Sequence, residues 1–88
     1  MEIKVFKEII RYRVDKNNVC VGIGQNIRGL REAANIKQSE LALMIGLSRT
    51  SVVNIELGRQ NIVPHQIYSL CLALNCKVTD ILPEAKKP

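Results

Sequence analysis

The stretch Gln38-Ser-Glu-Leu-Ala-Leu-Met-Ile-Gly-Leu-Ser-Arg-Thr-Ser-Val-Val-Asn-Ile-Glu-Leu-Gly58 decides the fold. Leu41, Ala42 and Ile45 recur at three- and four-residue steps, the spacing of one helix face, and predict a short helix over 38–45. Val52 and Ile55 do the same for a helix over 49–57. Gly46 supplies the positive φ that a tight turn between them requires, and Ser48 has a side-chain oxygen suited to capping the second helix. Ala42 is small where the two helices must cross. Together with Leu47, these apolar residues make one shared seam. That seam leaves Arg49, Thr50, Val53 and Asn54 on the outside, near the start of the second helix, where a recognition helix meets base edges.

Outward from this pair, the punctuation predicts further short helices. One runs over 23–34, with Ile27, Leu30, Arg31 and Ala34 on a common face, and stops at Asn35, a residue that tolerates the left-handed conformation. Another runs over 64–74, with Pro64 at a favourable first position, Ile67, Leu70, Cys71 and Leu74 facing inward, and Asn75 as its stop. Residues 79–82 make a last turn that Pro83 prevents from continuing. The helices span a domain over 23–83. Residues 1–22 read as a leader, with a short amphipathic helix or strand over 3–14 and a turn at 15–18, and 84–88 read as a tail.

Composition restricts the classes that remain. A chain of 88 residues is one small domain, and with no Trp, one Phe and two Tyr its core is aliphatic. Thirteen Lys and Arg against eight Asp and Glu give a net charge of +5, which suits a polyanionic partner. Cys20, Cys71 and Cys76 are odd in number and form no CxxC, which argues against a disulfide framework and fits a reducing cytoplasm; Cys71 and Cys76, in an apolar helical stretch, read as small buried hydrophobes. Charges interrupt every apolar run before Gly22, which excludes a signal peptide, and no run approaches a membrane span. His65 is the only histidine and has no patterned partners for a metal site or a catalytic triad. The reading is of a protein without enzyme active site, cofactor or metal.

From Gly24 to Leu82 the sequence resembles the phage-repressor and Cro type of helix-turn-helix transcriptional regulator. The pieces are Ile27-Arg-Gly-Leu-Arg-Glu32, Gln38-Ser-Glu-Leu-Ala42, Gly46-Leu-Ser-Arg-Thr-Ser51, Ile55-Glu56, Gly58-Arg59, and Leu70-Cys-Leu-Ala-Leu74 before Asp80-Ile-Leu82. Each is weak alone, but their order and spacing are specific. The resemblance implies an all-α, five-helix fold, a homodimer, and binding to a palindromic site in double-stranded DNA. By position it implies that Gln38 clamps a backbone phosphate, and that Ser48, Arg49, Thr50 and Asn54 contact bases or nearby phosphates. Arg49 suits guanine and Asn54 adenine, and Val53 can pack on a thymine methyl. Ser51, Arg59, Gln60 and Asn61 would hold the backbone, which sets register without reading sequence. Arg31 and Glu56 match a partly buried structural salt bridge of the family.

The sequence also departs from the family. Lys37 stands where a Ser or Thr usually caps the second helix, a loss of roughly 1 kcal/mol. Leu43, Met44, Val53, Leu57 and Leu72 are apolar where relatives are often polar, which suggests contact surfaces. Leu72 and Ile81, or the leader, are candidate dimer interfaces. The favoured reading is a sequence-specific regulator acting as a repressor. The rival is an antitoxin-like or other protein-interaction module on the same domain.

Overall fold

The structure, a computed structural model, describes residues 12–85. Five helices are present among them and no strand: α1 Lys16–Ala33, α2 Gln38–Ile45, α3 Arg49–Glu56, α4 Pro64–Leu74 and α5 Val78–Ile81. The all-α, five-helix architecture agrees with the sequence reading.

The first helix starts earlier than its sequence suggests. Asp15 caps it, its Oδ1 accepting from the Asn17 and Asn18 amides at 2.9 and 3.3 Å, so the turn expected at 15–18 is a helix N-terminus. The break expected after residue 22 falls inside α1. Gly22 and Gly24 look like a break but serve close approach. A Cβ on Gly24 would lie 2.6 Å from the Glu56 carbonyl oxygen and closer still to that of Ile55, so α1 rests directly on the end of α3. The leader helix expected over 3–14 lies outside the described residues except for its last three, which are not helical.

Four helices end by the same device. Asn35, Gly46, Gly58 and Asn75 have φ of 57°, 71°, 75° and 51°. The residue after each turns its N–H back to a carbonyl five residues earlier: Ile36 to Arg31, Leu47 to Ala42, Arg59 to Asn54 and Cys76 to Cys71, at 2.8–3.1 Å. This closure satisfies carbonyls that a helix end otherwise leaves open. The starts of α2, α4 and α5 share a second device. Glu40, Gln66 and Asp80 accept from the backbone N–H of Lys37, Val63 and Lys77 at 3.0, 3.1 and 2.9 Å. Glu40 thus satisfies the Lys37 amide, while the amides that a Ser or Thr at 37 would serve receive no side-chain cap.

The core is Ile27, Leu41, Ala42, Val52, Ile55, Leu70, Leu74 and Ile81, contributed by all five helices. Asn26 of α1 donates to the Ile81 carbonyl at 2.9 Å and ties the two ends of the domain together. Ala34, expected on the same helix face as Ile27 and Leu30, is exposed. Ile81, a candidate for a dimer interface, is fully buried and not available for one. Tyr68 is 63% exposed and so is not a packing residue of the isolated chain.

Candidate nucleic-acid interface

The α2–turn–α3 unit places the predicted reading residues. Gly46 reverses the chain, Leu47 tucks in, and Ser48 caps α3 by accepting from the Ser51 amide at 3.1 Å. The Ser48 and Ser51 hydroxyls also lie 3.1 Å apart. Ser48 is thus committed to the cap. Val52, Ile55 and Glu56 take the buried side of α3. Arg49 and Thr50 are exposed, and Val53 and Asn54 are half-buried at the other side. Arg59 and Asn61 lie exposed in the following loop, where Cys20 of α1 donates to Asn61 Oδ1 at 3.5 Å.

Behind this surface lies a buried ionic knot. Arg31 Nε and Nη2 donate to Glu56 Oε2 and Oε1 at 2.6 and 3.1 Å, while Arg31 Nη1 donates to the Ile36 carbonyl at 2.8 Å. The side chains are 11% and 3% exposed. The hydrogen bond to Glu56 raises the Arg31 pKa above its ordinary value, against the opposing effect of burial. Two parallel N–H···O bonds on a carboxylate are the strong form of this interaction. Among the described residues no buried side-chain N or O is left without a partner.

Gln38 joins the knot to the outward face of α3. Its Nε2 donates to Glu56 Oε1 at 3.1 Å, and its Oε1 accepts from Arg49 Nη2 at 3.4 Å. Sequence reasoning had Gln38 as a phosphate clamp and missed this link. The signal was its place between two helices that the Arg31–Glu56 pair already brings together. Sequence reasoning also missed Arg28 and Ser39. With Arg31, Lys37, Gln38 and Arg49 they line a cleft of about 470 Å³ at the start of α2. The i, i+3 spacing of Arg28 and Arg31 puts both on one side of α1.

Residues 27–81 match the helix-turn-helix family. The chain belongs to that family. It thereby stands among DNA-binding transcriptional regulators of the repressor and Cro type. Control protein C.BamHI of Bacillus amyloliquefaciens is 33% identical over 67 residues, covering 75% of this chain and 83% of that protein. Antitoxin PezA of Streptococcus pneumoniae serotype 4 is 34% identical over 64 residues, 73% of this chain. This chain spans only 40% of that antitoxin's length. Among solved structures, the restriction-modification controller protein C.AhdI from Aeromonas hydrophila aligns with a TM-score of 0.68 at 34% identity. That alignment covers 70% of this chain and 94% of that one. Among the described residues no helix is long and apolar enough to cross a membrane. Nor do three or more His, Cys, Asp or Glu among them form a group that could hold a metal ion.

Proposed function

We propose that this protein is a sequence-specific, cytoplasmic transcriptional regulator that lays α3 in the major groove of duplex DNA. The observation that carries the reading is the outward face of α3, with Arg49, Thr50, Val53 and Asn54 beside the basic cleft at the start of α2. Arg49 and Asn54 have the donor and acceptor patterns of guanine and adenine readers, and Val53 suits a thymine methyl. Gln38, Ser51, Arg59 and Asn61 flank them as backbone contacts, and Ser48 holds the helix that presents them. Repression follows where the bound site overlaps a promoter, and no step of this reading needs a cofactor or a catalytic group.

The working form is a homodimer on a palindromic site, because one such domain reads too few base pairs to select a genomic address. The supporting surface is α4. Between Pro64 and Leu74 it carries no Lys, Arg, Asp or Glu, although 24% of the whole chain is charged, and Leu72 is 85% exposed. A second reading, a protein-binding antitoxin, draws on the likeness to Antitoxin PezA and on exposed Leu43 and Met44.

The test is selection of bound duplexes from a random pool, followed by titration of the best site at several salt concentrations. A palindromic consensus and an affinity that falls steeply with salt are expected. Equal affinity for all duplexes, or a tight protein partner whose binding leaves no DNA activity, would overturn the regulator reading.

A further inference from the structure

The cleft at the start of α2 gathers four cations from two helices and the turn between α1 and α2: Arg28 and Arg31 from α1, Lys37 before α2, and Arg49 from α3. Two of the four already face a carboxylate. Arg31 is forked onto buried Glu56. Arg28 Nε donates to Glu32 Oε1 at 2.8 Å, and the same oxygen lies 3.9 Å from Arg31 Nη2. The two carboxylates differ in kind. Glu56 is enclosed and structural, whereas Glu32 and Arg28 are 54% and 62% exposed. An exposed pair of this sort contributes little to folding, and its cation exchanges partners readily. The hydrogen bond between them raises Arg28 and lowers Glu32, so both are charged at neutral pH.

We propose that Glu32 is a built-in competitor for the phosphodiester that Gln38 is read as clamping here: the phosphate of a bound duplex draws on Arg28 and Lys37 as cations, and Glu32 contends with it for Arg28. The inference rests on the reading of the chain as a duplex-DNA binder and adds a control on its affinity. A phosphate oxygen pair accepts a guanidinium fork as a carboxylate does. When phosphate takes Arg28, Glu32 is left as an unneutralised negative charge beside another one. At a separation of about 6 Å in water that repulsion alone lowers affinity about threefold. Glu32 therefore damps binding to every duplex alike, because a phosphate contact carries no base information.

The test uses the full chain and compares Glu32→Gln, Arg28→Gln, Lys37→Gln, the Arg28→Gln/Glu32→Gln double variant and Glu84→Gln. The last changes net charge by the same amount as Glu32→Gln. It neighbours Pro83, which packs on Gly22, about 15 Å along α1 from Glu32 and beyond the screening length of about 8 Å. Glu32→Gln is expected to tighten binding about threefold on specific and unrelated duplexes alike. Arg28→Gln and Lys37→Gln weaken binding evenly, and each lowers the salt slope by about 0.9. The gain from Glu32→Gln should vanish in the Arg28→Gln background. A wild-type chain that binds DNA while Glu32→Gln matches Glu84→Gln, or keeps its gain without Arg28, overturns the proposal but not the regulator reading. A wild-type chain that binds no duplex overturns the regulator reading instead. Inorganic pyrophosphate, titrated against the amide resonances of Lys37, Gln38 and Ser39, separates two sources of the same chemistry. Shifts with duplex alone assign the cleft to the DNA backbone, and shifts with pyrophosphate that depend on Arg28 assign it to a free phosphate compound as well. Shifts with neither refute the phosphate seat.

Discussion

Replacing Arg31 by Ala removes three hydrogen bonds at once, two to the Glu56 carboxylate and one to the Ile36 carbonyl. What remains is a carboxylate with a 3% exposed side chain, served among the described residues by Gln38 Nε2 alone. Breaking a buried pair by removing one partner typically costs about 3–5 kcal/mol. A domain of this size has a total stability of roughly 4–13 kcal/mol, so the loss is a large fraction of the whole. Each kcal/mol displaces the melting temperature of so small a domain by about 4–8 °C, which puts the expected drop above roughly 10 °C. Arg31→Lys keeps the charge but not the fork and should fall between wild type and Ala. The double replacement Arg31→Met/Glu56→Leu removes both charges and should recover part of the loss. Calorimetry and urea unfolding at pH 7, without DNA, read these differences. An Arg31→Ala chain melting within a degree or two of wild type would refute the reasoning, because it would mean that Glu56 is hydrated without Arg31.

Three glycines should respond with different signs. Gly24→Ala drives a methyl into the Ile55 and Glu56 carbonyls and should destabilise strongly; Gly46→Ala meets open space but keeps φ near +71°, costing about 1 kcal/mol. Gly29→Ala, at an exposed position inside α1 with nothing nearby, should stabilise by about 0.5–1 kcal/mol, all read by urea unfolding. Burial, with the Cys71 thiol beside it, pushes the Cys76 thiol up to about 11, above the ordinary value near 8.5 of an unfolded chain. Its contribution to stability is therefore complete below about pH 8.5 and is lost as pH rises through about 11, so Cys76→Ala should flatten the alkaline decline; equal slopes would refute this. Arg49→Ala and Asn54→Ala should relax base preference at about 1–3 kcal/mol each, measured on single-base variants of the best site. Leu72→Glu should dissociate the dimer in sedimentation at unchanged melting of the monomer, and a full-length monomer on its best site would refute dimer formation.

Much of this fold was legible because its stops are local chemistry. Asn35, Gly46 and Asn75 were readable as helix ends, since few residues accept a left-handed backbone, and all three adopt it. The start of α1 was not legible. Gly22-Ile-Gly24 has the look of a break, and only the passage of the α3 carbonyls against Gly24 explains why glycine stands inside a continuous helix. The burial of Ile81 was likewise a tertiary fact, set by where α5 docks on α1 and α4. At the candidate site, residue types and spacing brought out Arg49, Thr50, Val53 and Asn54, and resemblance brought out Arg31 with Glu56. Arg28 and Glu32 escaped because an i, i+4 ion pair on a helix is ordinary until a cleft forms beside it.

The bridge through Gln38 bears on how such a protein can change its target. Arg49 leans on Gln38, and Gln38 leans on the same Glu56 oxygen that Arg31 holds. A new base preference introduced at position 49 must therefore suit a neighbour that is also part of the scaffold. Thr50, exposed one residue on, has no such tie among these bonds. Retargeting by design or by selection should start at Thr50, with Val53 and Asn54 next, and reach position 49 only together with position 38.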